Sequence, residues 1–297
     1  MLTLLVNHST KMKKKAFSIL LTFMTLVPFL SAKEPERSGS LTVISYNIRN
    51  GESEDGTNSW EYRFPASAMM IDDQAPDIFG LQEAYDYQVK YLSEYTDGYK
   101  SIGVGRENGK KKGKEGGEHM EIFYKTKNIS LLKWGTFWLA ETPDKPVLGW
   151  DAACKRTATW ALMKDKRTGK KFFYVNTHLD HVGREAQEKG LALILERIAS
   201  MNPDGVPMVL TGDFNVTPDD KILTGLNSKM KSARDYAVKS DRGGTFNDWG
   251  REKTVKAIDY IYFSGFSSCP VFEVIRKPYM ERNFISDHFP VKAVLVF

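Results

Sequence analysis

Short apolar stretches with period-two alternation recur along most of the chain, and fewer segments carry helical spacing between them. Leu41 to Tyr46 alternates and is β-branched, which predicts a strand ending at Asn47. Phe64, Ala68 and Ile71 predict a helix over Trp60 to Gln74, closed by Pro76. Asp77 to Leu81 reads as a strand ending at Gln82-Glu83, followed by a helix from Tyr85 to about Tyr95 with Val89 and Leu92 inward. Gly98 to Val104, Glu118 to Lys125 and Leu131 to Leu139 read as further strands. The Lys/Gly-rich stretch Gly105 to Gly117 reads as a mobile, solvated loop rather than a phosphate cradle, because no helix start follows it. Arg156 to Met163 and Lys171 to Thr177 form a hairpin across Asp165 to Lys170. Leu191, Ile194, Leu195 and Ile198 mark an amphipathic helix over Gly183 to Met201, and Met208 to Leu210 leads a strand into Asp213. A helix from Pro218 to about Leu226 and strands at Ala257 to Phe263, Val271 to Ile275 and Phe289 to Phe297 complete the chain. Many strands, few helices and no break between them suggest one α/β domain with two packed sheets.

The side chains that coordinate or move protons fall at strand ends: Asn47, Glu83, His178, Asp213 with Asn215, Asp259, and Asp287-His288. Strand ends are where loops converge and ligands bind in layered α/β folds. In Met208 to Thr217, alternation would offer the Asp213 carboxylate and the Asn215 carboxamide on one face. An Asx turn capping the next helix explains that pair equally well. Carboxylates, amides and two histidines on one rim suit a divalent metal and a phosphate. Oxygen donors without a cysteine favour Mg²⁺, Mn²⁺ or Ca²⁺ over zinc.

The first residues are different in kind. Lys11, Lys13, Lys14 and Lys15 precede an uncharged apolar run from Ala16 to Leu30 and then Ser31-Ala32, the pattern of a secretory signal too short for a comfortable membrane span. Residues 1–32 are expected to be removed, with Met12 a candidate start, 33–40 a short linker and 41–297 the domain. The protein is thus expected to be secreted or periplasmic, without a transmembrane segment, and to act as a monomer. Removing those four lysines from 42 basic residues leaves 38 against 37 acidic ones, a net of +1. A chain so nearly neutral has no global pull on DNA or anionic membranes. Cys154 and Cys269 are open to pairing or to a life as separate thiols.

Six segments in order resemble the endonuclease/exonuclease/phosphatase superfamily with the deoxyribonuclease I-like fold: SYNIR at Ser45 to Arg49, PDIFGLQE at Pro76 to Glu83, NTHLDH at Asn176 to His181, GDFN at Gly212 to Asn215, IDYIY at Ile258 to Tyr262 and SDHFPV at Ser286 to Val291. Each is weak alone; six in order are specific, because independent coincidences multiply. The resemblance implies a four-layered sandwich of two mixed β-sheets with helices outside, and a metal-dependent hydrolase of phosphoesters. It implies that Glu83 is the principal metal ligand, helped by Asn47 and Asp287. His288 would be polarised by Asp259, Asp213 would orient or deprotonate the attacking water, and Asn215 and His178 would bind phosphoryl oxygens. Arg156 sits where the family often has an arginine near the site.

Phe246 and Trp249, like Trp138 and Trp150, are candidates for stacking on a substrate or for the core. Trp60 and Arg63, like His119 and His181, read as mainly structural. The substrate stays open between nucleic acid and a small phosphorylated molecule or lipid head group. A non-catalytic binding module of the same fold is the alternative, set against the completeness of the ligand and acid-base set.

Overall fold

Alternation along the strands sorts the chain into layers. On β1 (Ser40–Asn47) Leu41 and Val43 face one way and Ile44 and Tyr46 the other, and all four are buried, so the strand is covered on both sides. The computed structural model describes residues 39–297, which fall within one compact unit, Arg37–Phe297. The expected signal segment lies outside the described residues. After β1 come α1 (Trp60–Gln74), β2 (Ile78–Gln82), α2 (Asp86–Tyr95), β3 (Tyr99–Ile102), β4 (Ile122–Lys125), β5 (Ile129–Trp138) and β6 (Thr157–Asp165). Next are β7 (Lys171–His178), α3 (Arg184–Met201), β8 (Met208–Asp213), α4 (Thr224–Asn227), β9 (Lys231–Ser232), α5 (Ala233–Tyr236) and β10 (Lys239–Ser240). The chain ends with β11 (Asp259–Ser264), β12 (Ser268–Val274) and β13 (Val291–Val296).

A seven-stranded sheet runs β10-β12-β13-β1-β2-β4-β3 and a six-stranded sheet runs β5-β6-β7-β8-β11-β9. Both are mixed: β1–β2 and β7–β8 are parallel, while β1–β13 and β8–β11 are antiparallel. Between the sheets Leu41, Val43 and Ile78 meet Phe172, Val209 and Ile261. Ala66, Met70 and Ile71 of α1 with Val89 and Leu92 of α2 cover the outer face of the first sheet. Leu191, Ile194 and Ile198 of α3 cover that of the second. Each such aliphatic side chain contributes about 1.5–3 kcal/mol relative to exposure. The result is the four-layered sandwich expected from the motifs. No helix among the described residues is long and apolar enough to cross a membrane. Both cysteines are free thiols, Cys154 half-buried and Cys269 buried.

Two buried charges tie loops to this frame. Arg63 is fully buried in α1, where its guanidinium donates to Asn58 O (2.9 Å), Ile285 O (3.3 Å), Arg49 O (2.8 Å) and Ile48 O, joining the exit of β1 to the segment before Asp287. The structural role read for Arg63 and Trp60 fits, since the Trp60 ring lies 5.1 Å from the guanidinium. Asp180, also buried, accepts from the backbone N–H groups of Gly183 (2.8 Å), Val182 (3.0 Å) and Ala153 (3.2 Å), binding residues 151–156 to the entry of α3.

Burial alone would raise the Asp180 carboxyl, but those N–H bonds and Arg156 outweigh it and hold the group down at about 2. A folded value below the unfolded 3.8 means the stabilisation is present above that pH and lost as pH falls through about 2. Asp180→Asn is expected to lower unfolding free energy at neutral pH by about 2 kcal/mol. It should also flatten the loss of stability between about pH 4 and pH 2. Urea titrations across that range check it, and equal acid sensitivity in both proteins contradicts it.

Candidate active site

The alternation that builds the core also builds the site. Inward positions on four central strands run from apolar to polar towards one end of the sandwich: Leu41, Val43, Ser45, Asn47 on β1; Phe172, Tyr174, Asn176, His178 on β7; Val209, Thr211, Asp213 on β8; Phe263, Ile261, Asp259 on β11. A hydrogen-bonded layer separates the rim from the oily core. Gln82 Nε2 donates to Asn176 Oδ1 (2.6 Å), Thr211 Oγ1 donates to the same oxygen (3.1 Å), and Asn176 Nδ2 donates to Leu81 O (2.7 Å). Gly80 faces this layer because a Cβ there would meet Asn176 Oδ1 at 2.4 Å.

Asp213 occupies the centre. Register places it level with His178 on β7 and directly opposite Asp259 on β11. Its Oδ2 accepts from Asn47 Nδ2 (3.0 Å) and lies 3.5 Å from His178 Nε2 and 3.7 Å from His288 Nε2. Burial, then the facing Asp259 charge, push its carboxyl up to about 7 against the opposing His288 and the Asn215 N–H. Asp259 Oδ2 is 2.8 Å from His288 Nδ1, which fixes the ring. Burial would lower the His288 pKa, but the Asp259 and Asp213 charges overcome it and push it up to about 10, so the ring is imidazolium at neutral pH.

Glu83 and Asp287 form the donor pair nearest to a metal site. Glu83 stands one residue beyond β2 with φ 63°, a left-handed conformation that an L-residue adopts at a cost of about 1–3 kcal/mol. Its oxygens accept from Asn47 Nδ2 (3.0 Å) and Asn50 N (2.9 Å); although burial opposes ionisation, these bonds, His288 and Arg49 hold the carboxyl below its ordinary range. Burial and the Glu83 charge push Asp287 upward against His288, Arg49 and Arg63. A half-buried and a buried hard-oxygen donor that repel one another fit a divalent cation. Asp213, Asp259 and His288 also offer atoms within 4.8 Å of one another. That trio is already satisfied by the imidazolium–carboxylate bond, and a cation there would have to displace the His288 proton.

The two asparagines make further bonds that the motifs did not specify. Asn47, expected as a helper ligand, donates its amide to both Glu83 and Asp213, while its Oδ1 accepts from Arg49 N (3.0 Å). It thereby also braces two carboxylates. Asn215, expected to bind phosphoryl oxygens, uses Nδ2 to donate to Leu179 O (3.0 Å) and His178 Nε2 (3.0 Å), so it has no N–H left for a phosphate. It also does not continue the strand: its φ is 54° and its N–H donates to Asp213 Oδ1 (2.9 Å), which makes the stretch an Asx turn as well as part of the site. His178 is neutral, its pKa lowered by burial and by the Arg156 and Arg106 charges.

A cavity of about 520 Å³ opens over these groups. Arg156 lines it, with Nε donating to Asp180 Oδ2 (3.3 Å) and Nη2 3.0 Å from His181 Nδ1. Phe246 lines it too, its ring 5.1 Å from that of His288 and steeply inclined. Trp249, left open between substrate and core, does not line the cavity; its ring lies 5.6 Å from the Arg63 guanidinium. Trp138 and Trp150 are likewise outside the lining. His119 is buried beside Glu121 (3.2 Å), a structural place as expected.

Sequence reasoning missed Arg106 and Glu118, which line the cavity from the roots of the loop read as mobile and solvated. The loop tip, Lys110 to Glu115, is exposed, but Gly116 to Glu118 are buried and Glu107 N donates to Gly116 O (2.9 Å). The signal available was the placing of charged residues against glycines at both roots, Gly105-Arg106 and Gly117-Glu118.

The chain matches the Endonuclease/Exonuclease/phosphatase family over residues 44–288. No curated protein matches it. Among solved structures it is similar to a mannosyl-6-phosphatase of Bacteroides thetaiotaomicron VPI-5482, with 37% identity over 86% of this chain and 100% of that one and a TM-score of 0.80. An endonuclease/exonuclease/phosphatase from Bacteroides vulgatus gives 36%, 86%, 98% and 0.80 for the same measures. A D. rerio TDP2 complexed with single-strand DNA product shares the fold at 15% identity, covering 87% of this chain and 99% of that one, with a TM-score of 0.68. This chain belongs to the endonuclease/exonuclease/phosphatase family.

Proposed function

We propose that the protein is an exported, Mg²⁺-dependent phosphomonoesterase that removes phosphate from a sugar. The carrying observation is Asp213, a carboxylate with a pKa pushed to about 7, held between a neutral His178 and an imidazolium His288 at the mouth of one cavity. A group with that pKa is well matched to taking a proton from water at neutral pH. The substrate class is supported by the 37% identical mannosyl-6-phosphatase and by the near-neutral charge of residues 33–297, which gives little general attraction to DNA.

In this mechanism Asp213 receives a proton from the attacking water as the new P–O bond forms and the bond from phosphorus to the sugar oxygen breaks, and the departing sugar oxygen takes up a proton from solvent. His288, kept charged by Asp259, offsets negative charge on the non-bridging oxygens. Arg156, fixed by Asp180, adds a second positive group to the same wall. Asn47 and Asn215 keep Asp213 and His178 from turning away. A divalent cation held by Glu83 and Asp287 would supply Lewis-acid neutralisation of the phosphoryl charge.

The central test uses protein beginning at Lys33 with Mg²⁺, offered hexose 6-phosphates, sphingomyelin-type lipids, DNA and RNA. Phosphate release from a hexose 6-phosphate is expected, with Asp213→Ala lowering kcat by roughly a thousandfold. Cleavage of nucleic acid without sugar-phosphate turnover would overturn the substrate, and full activity in the variant would overturn the base. For the metal, Mg²⁺ or Mn²⁺ should raise the thermal midpoint of the wild type and not of Glu83→Gln; equal shifts in both would remove Glu83 as a ligand. For export, N-terminal sequencing of protein recovered outside the cytoplasm should begin at Lys33, and an intact Met12 start would count against cleavage.

A further inference from the structure

Arg106 and Glu118 take no part in the chemistry just described, yet both line the cavity that holds Asp213 and His178. They are ion-paired to one another through Arg106 Nη1 and Glu118 Oε2. Among the described residues this is the one hydrogen bond to the Glu118 carboxylate, and it leaves Oε1 available. Arg106 Nε makes no hydrogen bond and has only a 3.4 Å ion-pair contact with Glu107 Oε1. A buried carboxylate and a half-buried guanidinium held this way are costly unless a ligand or each other satisfies them.

Their placement is rigid. Arg106 N donates to Glu118 O (2.9 Å), and Trp138 Nε1 donates to Arg106 O (2.7 Å). The two loop roots approach so closely that a Cβ at Gly105 would meet Gly116 O at 2.2 Å, and Gly117 has φ 70°. His119 N donates to Ala84 O (2.7 Å), which seats Glu118 one residue away from the backbone neighbour of Glu83. The pair therefore stands beside the phosphoryl centre as a fixed wall.

The rest of the lining says what that wall can hold. Apart from histidines, Phe246 is the one aromatic among the described residues around the cavity, and it is spent edge-on against His288. A nucleobase would need an open stacking face. A carboxylate oxygen and guanidinium N–H groups side by side instead suit vicinal hydroxyls, which accept from one and donate to the other.

We propose that Arg106 and Glu118 are the specificity-determining pair that binds the hydroxyls of the leaving sugar. The proposal rests on the phosphomonoesterase reading above. The test compares Glu118→Gln with wild type on mannose 6-phosphate and on p-nitrophenyl phosphate, whose leaving group has no ring hydroxyls. The variant should lose roughly ten- to a hundredfold in kcat/KM on the sugar phosphate, mainly through KM, and stay within about twofold on p-nitrophenyl phosphate. Retained p-nitrophenyl phosphate turnover also shows that the variant is folded, and Glu118→Asp should recover part of the sugar-phosphate activity. Equal losses on both substrates overturn the proposal by placing the pair in the common machinery or the fold. Unchanged activity on both overturns it by leaving the pair a tie between loop roots. Wild-type protein that releases phosphate from neither removes the phosphomonoesterase reading itself, and the proposal with it.

Discussion

Two carboxylates face each other across antiparallel strands at the rim of the sandwich: Asp213 and Asp259 are register partners on β8 and β11, and both are buried. Like charges placed directly opposite on neighbouring strands repel, and burial sharpens the repulsion. The site resolves it with one cation. His288 reaches in from the far end of the chain, with Nδ1 on Asp259 and Nε2 towards Asp213. Asp259 is then the hydrogen-bonded partner of His288. The other is left with a pKa near neutrality, which is what a base for water requires. The segment carrying His288 must accordingly be held in place, and Arg63 does that by donating to Ile285 O while also holding the exit of β1.

The same register explains why so much of the fold could be read from residues. Period-two alternation marked nearly every long strand, and the helix over Trp60–Gln74 falls where its apolar spacing put it. The candidate site groups stood out for the same reason, being the last inward residues of strands whose earlier inward residues are apolar. What alternation could not give was the behaviour of residues just past strand ends. Glu83 and Asn215 both adopt positive φ, so the side-chain direction predicted by simple continuation fails there.

Side-chain orientation at the two asparagines was equally beyond alternation. A carboxamide has one acceptor oxygen and two N–H hydrogens, and which end faces the site depends on neighbours far away in sequence. Asn47 turns its nitrogen to the carboxylates because Arg49 N claims its oxygen. Asn215 turns its nitrogen inward because Leu179 O lies on the same side as His178. Both amides act as braces, and a sequence motif that preserves an asparagine does not distinguish a brace from a ligand. Trp249 is a parallel case, since only the fold reveals that a buried guanidinium lies beneath its ring.

Chemistry and selectivity are therefore written in different parts of the chain. The rim proposed to move protons comes from strand ends, where the sandwich dictates position and a few residue types suffice. Another part of the cavity lining comes from the roots of a glycine-rich loop whose composition alone suggests solvent. Arg106 and Glu118 reach the cavity because glycines let two backbones approach within contact of each other, a three-dimensional closure that no periodicity reports. A family that varies its substrates would be expected to vary such loops while leaving the Asp213–His288–Asp259 arrangement alone, because altering the loop changes which leaving group is held and altering the arrangement removes the base.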